Sequence, residues 1–269
     1  MKIAITHSTT ACVLLEIGSI RILTDPVFDA GEKHYTLGPA AHATRYIGPA
    51  IDPATIPPLN AVLLSHAHHL DNLDSSGEAF LQQASSVITG RHDSQRAGAK
   101  ATRLSVGEST TITGADGYCI KVTATPACHG PWWLPQSHHV VGFVLEWPGQ
   151  EHGALYISGD TVFFHGMYGI GRNFNIGTAL LHLGAVHFWP PWPSCLRFSM
   201  TGAQGAKCVR ALRLGKTKPI QTVIPIHYEQ SVWSHFRESR ESYENAFADA
   251  GLSSRLRWLR PGERTIIDT

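Results

Sequence analysis

The run Leu63-Leu64-Ser65-His66-Ala67-His68-His69-Leu70-Asp71-Asn72-Leu73-Asp74 places three histidines and two aspartates within nine residues. On an extended chain residues i and i+2 face the same way, so His66 and His68 can aim two imidazoles at one point. Just past a strand end, a loop can swing Asp71 toward that point. Neutral imidazole and carboxylate together suit zinc, with manganese and iron as alternatives. For this segment taken alone, the plain alternative is a solvated histidine-rich turn. Three other segments place a histidine or aspartate after a β-type run: Thr125-Pro126-Ala127-Cys128-His129-Gly130, Tyr156-Ile157-Ser158-Gly159-Asp160-Thr161 and Ile224-Pro225-Ile226-His227-Tyr228. Each is weak by itself, because a lone histidine after a strand is more often a hydrogen-bonded structural residue. Together they offer a His, an Asp and a His from separate strands, as a multi-ligand site requires. Gly159 would let the backbone approach closely beside Asp160.

The elements that must position these residues are short strands. Ile3–Thr6, Cys12–Ile17 and Ile20–Thr24 have β-type composition, with Gly18-Ser19 as a hairpin turn. The stretch from Gly38 to Pro58 is rich in Pro and Gly and reads as mostly loop. Ala61–Ser65 is an apolar run that reads as a buried strand. Ser75 with Glu78 forms a capping box, predicting a helix through about Ala84. Further strands are predicted around Val87–Thr89, Tyr118–Thr125, Val140–Glu146, Ala154–Ser158, Ala179–Leu183 and Gln221–Ile226. Helices are predicted over Thr201–Leu214, with Thr201 and Gln204 as a capping box, and over Arg237–Ala250. Strands first and helices after, twice over, suits two sheets packed face to face with helices outside, in one domain.

Bulk properties narrow the partners. The chain of 269 residues carries 22 basic and 21 acidic side chains, so no excess charge attracts nucleic acid or anionic lipid. Charged residues make up only 16%, and so thinly charged a surface fits extensive burial, leaving a homo-oligomer open. No run approaches the 18 or so apolar residues of a membrane span, and the first residues lack the apolar core of a signal peptide. The five cysteines (Cys12, Cys119, Cys128, Cys195, Cys208) are scattered, which fits reduced thiols and a cytoplasmic location.

HAHHLD, TPACH, SGDT and PIHY stand in the order of the motifs of the metallo-β-lactamase superfamily, which this chain resembles from about Ile3 to at least Tyr228. Leu23-Thr24-Asp25-Pro26-Val27-Phe28 and the run from Gly48 to His66 resemble the branch containing ascorbate-6-phosphate lactonase and N-acylphosphatidylethanolamine phospholipase D. The resemblance implies an α/β fold of the αββα four-layer sandwich type, spanning 1–269 as a single domain. It implies a metal site at the sheet ends, often dinuclear, holding one or two zinc ions, with Mn or Fe as substitutes. By motif, His66, His68 and His129 hold the first metal, Asp71 and His227 serve the second, and Asp160 stands between. Asp25 would lie beneath, orienting a ligating histidine; a turn-forming Asp before Pro26 is an equal reading.

Two departures from the family pattern H-x-H-x-D-H stand out. One extra residue precedes Asp71, and Asn72 occupies the place of the last histidine. One register keeps His66 and His68 and inserts a residue near Leu70; the other keeps His69-Leu70-Asp71. The i, i+2 geometry leans to the first, and Asp71 is a ligand in both. An amide oxygen binds zinc more weakly than imidazole, so Asn72 implies a second site that is weak, empty or filled by another metal.

Aromatic residues follow the proposed ligands: Trp132 and Trp133, Phe163 and Phe164, then Phe188, Trp189, Trp192 and Phe198. They fit either the wall of an apolar substrate pocket or an oligomer interface. Arg197, His187 and His235 are further candidates for holding a small-molecule substrate, beside Trp132 and Phe164. The leading expectation is a hydrolase in which a metal-bound hydroxide cleaves an ester, lactone, amide or phosphodiester bond. Asp71 or Asp160 would then act catalytically by orienting the water or moving its proton. A degenerate, non-catalytic binding member of the same fold is the alternative that Asn72 motivates, and redox chemistry at iron ranks last.

Overall fold

The computed structural model describes residues 1–38, 41–92, 95–188, 193, 196–216 and 218–269. The chain runs β1 (Lys2–Thr9), β2 (Cys12–Ile17), β3 (Ile20–Thr24), β4 (Lys33–Gly38), β5 (Ala41–Arg45), β6 (Ala61–Leu64), α1 (Ser75–Leu81), β7 (Val87–Gly90), β8 (Thr102–Leu104) and β9 (Ser109–Thr113). It continues β10 (Cys119–Pro126), β11 (Val141–Glu146), β12 (Ala154–Ile157), α2 (Gly166–Asn173), β13 (Ile176–His182), α3 (Gly202–Leu212), β14 (Thr222–Ile226), α4 (Arg240–Asp249) and β15 (Arg264–Asp268).

Side-chain alternation along the strands builds four layers. Leu63, Phe143, Leu145, Leu155 and Ile157 point into a core shared by both sheets. Their neighbours Val62 and Leu64 face Leu81 of α1 on one outer side. Val144 and Tyr156 face Met167, Val209 and Phe247 of α2, α3 and α4 on the other. A period of two with both faces buried is what a sheet covered on each side demands. One sheet has the order β15-β1-β2-β3-β6-β7-β8 and the other β14-β13-β12-β11-β10-β9. This is the metallo-β-lactamase sandwich expected from the motifs.

Strand direction gathers the chemistry. β3 and β6 are parallel, as are β12, β13 and β14, while β10 and β12 are each antiparallel to β11 and so run the same way. Thr24, Leu64, Pro126, Ile157, His182 and Ile226 therefore end their strands at one edge of the sandwich. Ligand sites of open sheets form beyond such carboxyl ends.

Several local expectations need correction. The stretch after Gly38 is not all loop: β4 and β5 form a hairpin, docked where Ser234 N–H donates to Thr44 O at 2.9 Å. Helix α1 is capped by Asp74, whose carboxylate accepts from Gly77 N–H, and it ends at Leu81. Thr201 does cap α3, but Gln204 Oε1 accepts from Phe163 N–H. Strands β8, β9 and β15 and helix α2 carry no strong sequence signal. Three glycines (Gly166, Gly169, Gly171) weaken the helix propensity of α2. Gly171 is nonetheless required, because a Cβ there would sit 2.3 Å from Ala211 O on α3.

Candidate metal centre

Beyond β6, the Ser65 hydroxyl donates to Asp25 Oδ1 at 2.8 Å, and the Ser65 N–H donates to the same oxygen. His66 Nδ1 lies 2.9 Å from the Ser65 oxygen. Because that hydroxyl proton is already committed, His66 Nδ1–H is the donor, which leaves the lone pair on Nε2. Nε2 is buried and has no hydrogen-bond partner among the described residues. His129, after β10, is set the same way: its Nδ1–H donates to the Phe198 carbonyl, and Nε2 faces the centre, 2.8 Å from His69 Nδ1. One ligand atom from each of His66, His68, His69 and His129 lies within 4.8 Å of the others. His66 and His129 are buried, His69 is half-buried and His68 is exposed.

Asp160 follows β12 through Gly159, whose φ is +61°. A Cβ on Gly159 would meet Val141 O at 2.5 Å, so the close approach expected there is real. Asp160 Oδ2 lies 3.9 Å from His66 Nε2, 4.0 Å from His129 Nε2 and 3.4 Å from His227 Nε2. His227 Nε2 is also 3.3 Å from Asp71 Oδ2. The carboxylate of Asp160 thus stands between the histidine group and the Asp71–His227 pair. His69, Asp71 and Asp160 form a second set of donors within 4.8 Å. His227 adopts φ +56°, and its N–H is anchored on Thr10 O at 2.7 Å. A non-glycine residue held in the left-handed region marks a place where structure is spent on function.

The electrostatics favour a cation. Burial, reinforced by neighbouring imidazoles, holds His66 and His129 well below the usual histidine range and His69 at about 4. Burial also lowers His227, against the pull of the Asp71 carboxylate. Burial would raise Asp71, but the contacts from His227 and His235 outweigh it and keep that carboxyl well below its ordinary range. Asp160 moves the other way: burial, then the charges of Asp71 and Asp25, push it well up. Among the described residues no lysine or arginine pairs with Asp71 or Asp160. Neutral imidazoles with unused lone pairs and two buried carboxylates without a basic partner fit a divalent cation.

Asn72 is fully buried. With its nitrogen turned inward, the amide donates to Asp160 Oδ2 (3.1 Å) and Asp71 Oδ1 (3.3 Å). His235, expected in the substrate pocket, instead places Nε2 2.9 Å from Asp71 Oδ2. His187 Nε2 faces Pro193 O at 3.3 Å, and His187 is not among the described residues that line the cleft of Trp132 and Phe164. Trp132, Phe164 and Arg197 do share a cleft of about 520 Å³, which Cys128 and Val162 also line. The cleft adjoins the centre through Cys128-His129-Gly130 and Asp160-Thr161-Val162. Trp132 is 73% exposed at the rim. Trp189, Trp192 and Cys195 lie outside the described residues. Sequence reasoning passed over His7, whose Nε2–H donates to Thr10 O (3.0 Å), the carbonyl that also anchors His227. Only its place in an alternating strand could have hinted at burial.

The profile of the beta-lactamase superfamily domain matches residues 20–228. A UPF0173 metal-dependent hydrolase from Methanosphaerula palustris is 30% identical over 247 residues, covering 88% of this chain and 87% of that one. The chain belongs to the UPF0173 metal-dependent hydrolase family of the metallo-β-lactamase superfamily. Among solved structures, one described as a "possible metal-dependent hydrolase" from Veillonella parvula superposes with TM-score 0.77 at 16% identity, covering 97% and 98% of the two chains. An isothiocyanate hydrolase from Delia radicum gut bacteria superposes with TM-score 0.76 at 17% identity, covering 98% of each. At these identities the likeness speaks for the fold. This chain has a His/Asp cluster suited to metal at the sheet ends, and no helix among the described residues is long and apolar enough to cross a membrane.

Proposed function

We propose that this hydrolase cleaves an ester, lactone, amide or phosphodiester bond in a small apolar or aromatic substrate. The observation that carries this reading is the convergence of His66, His129, Asp71, Asp160 and His227 beside the cleft of Trp132 and Phe164. The narrower likeness to the lactonase and phospholipase branch supports the bond types, and the neighbour named for isothiocyanates adds that class to those worth testing.

His66, His129, Asp160 and either His68 or His69 would hold a first zinc ion, and Asp71, Asp160 and His227 a second; Mn or Fe suits the same donors. A bound cation would lower the pKa of water toward neutrality and polarise the scissile oxygen. Asp25 orients His66 through Ser65. Asp160 Oδ1, without a hydrogen-bond partner among the described residues, is placed to take a proton. Trp132, Phe163 and Phe164, which line the cleft with Arg197, would seat the apolar group and exclude water, and Arg197 would meet a carboxylate or phosphate of the substrate. We place the protein in the cytoplasm, since Cys12, Cys119, Cys128 and Cys208 are free thiols.

The test is a screen of esters, lactones, amides, phosphodiesters and isothiocyanates with zinc-loaded protein. Asp160→Asn should lower turnover on any hit by about 100-fold or more and weaken metal retention. Cys128→Ser should change little, because burial raises the Cys128 thiol and leaves it a poor nucleophile. Loss of turnover in Cys128→Ser with activity kept in Asp160→Asn would mean covalent catalysis and sink the proposal.

A further inference from the structure

A second cleft, of about 490 Å³, opens at the same edge of the sandwich as the metal centre. Its walls are Arg91 and His92 after β7, Ser105 and Val106 after β8, and His138 and His139 just before β11. β7 and β8 run parallel to β6, and β11 runs against β10, so these three segments meet where the ligand-bearing strands end. Val141, also in the wall, donates its N–H to Ser65 O at 3.2 Å, next to His66. The loop from His129 to His139 links the two clefts. It carries Trp132 into the first, and in the second His138 Nε2–H donates to the Trp132 carbonyl at 2.9 Å.

In a chain whose charges nearly cancel, this lining holds one arginine and three histidines, and no aspartate or glutamate among the described residues. Glu108 lies within reach of the Arg91 charge, but it accepts from Ser105 N–H at 2.7 Å and does not line the cleft. Arg91 Nη1–H donates to the Ser105 hydroxyl at 3.3 Å, which holds the guanidinium to the β8 side. The rings of His92 and His139 stack at 4.9 Å, only 11° from parallel. Stacked imidazoles carry their nitrogens on their edges, so a group beside the stack can accept from both rings at once. A guanidinium fork and a pair of ring donors match the several oxygens of a phosphate or carboxylate. The size of the cleft adds to this. An inorganic ion would fill little of a space that falls within the roughly 300–1,000 Å³ of small-molecule sites. Leu104, Val106 and Val141 supply apolar surface, and Val106 is 55% exposed. We propose that this cleft binds the phosphate or carboxylate of a small organic anion, with Arg91, His92 and His139 on the charged head and Val106 on the apolar body.

The probe is phenylphosphonate, whose P–C bond resists hydrolysis, titrated calorimetrically into zinc-loaded and zinc-free protein. The proteins are wild type, Arg91→Gln, His139→Phe and Arg197→Gln, with melting close to wild type as the check on folding. Phenylalanine keeps a ring against His92 but removes the donor. Arg91→Gln and His139→Phe should each weaken binding by about 10-fold or more, as loss of a charge-assisted hydrogen bond predicts. Arg197→Gln lies in the first cleft and should leave this binding within about twofold, as should removal of zinc. Inorganic phosphate should bind about 10-fold more weakly than phenylphosphonate, because it has no apolar body to cover. Affinity unchanged in both Arg91→Gln and His139→Phe overturns the site. Binding lost in Arg197→Gln or on zinc removal instead places the anion elsewhere and overturns it too. Inorganic phosphate held as tightly as phenylphosphonate overturns the organic ligand. On any substrate that is turned over, a phenylphosphonate-induced rise in KM that Arg91→Gln abolishes marks the anion as an arm of the substrate. Any other pattern marks a separate small molecule, and either source supports the site. Binding is read without turnover, so its failure leaves the hydrolase reading standing.

Discussion

Replacing Arg45 with methionine should destabilise this protein by about 3–5 kcal/mol, although Arg45 touches no proposed ligand. Arg45 and Asp74 are both fully buried and pair at 3.0 Å. Arg45 Nε–H also donates to Ile47 O at 3.0 Å, while the pair with Asp74 ties the end of β5 to the segment carrying Asp71. The Asp74 carboxylate has other work: Oδ1 caps α1 through Gly77 N–H, and Oδ2 accepts from Asp29 N–H at 2.6 Å. Burial already pushes the Asp74 carboxyl up, so without the guanidinium a buried charge is left without compensation. Methionine keeps most of the stem volume, so the loss is electrostatic rather than a cavity. At about 2–4 °C per kcal/mol for a chain of this size, the melting temperature should fall by on the order of 10 °C. Asparagine at 74 can still cap α1, so Arg45→Met/Asp74→Asn should recover most of the loss. Urea unfolding of the four proteins gives the coupling energy directly. A single-variant cost under about 1 kcal/mol, or a double variant equal to the sum of its parts, would refute a buried charge pair as the clamp.

Asp25→Asn should lower affinity for the more tightly held metal by about 10–100-fold while leaving the metal-free fold intact, as measured by zinc competition. The side chain orients His66 through Ser65, and asparagine tolerates the +33° φ of this position; unchanged affinity would deny that role. Acid stability should depend on Asp29. Burial would raise its carboxyl, but contacts with Lys33, Ser76 and Tyr35 prevail and bring it from 3.8 down to about 2. A carboxyl depressed in the folded state adds stability above pH 4 and loses it as pH falls toward 2, here about 2 kcal/mol. Asp29→Asn should flatten that acid limb of the urea midpoint, and an unaltered limb would show that Asp29 does not set it.

The fold class and the location of the centre were legible because both are written locally. Strand alternation in Cys12–Ile17, Val141–Glu146 and Ala154–Ile157 needs only neighbours two residues apart, and residues after parallel strands must emerge at one edge. His66, His129, Asp160 and His227 could therefore be singled out from their places at strand ends. The contact of His235 with Asp71 was not legible, since nothing near Trp233-Ser234-His235 refers to Asp71. Its contact depends on β5 pairing with that loop, and the β4–β5 hairpin is itself supported by Trp233, Tyr35 and the buried Arg45–Asp74 pair. Helix α2 is likewise decided by α3, against whose backbone its glycine must fit. Local sequence determines what short-range periodicity and strand ends can express. Contacts between segments far apart in the chain are settled only when the packed layers bring their surfaces together, because their energy is absent until then.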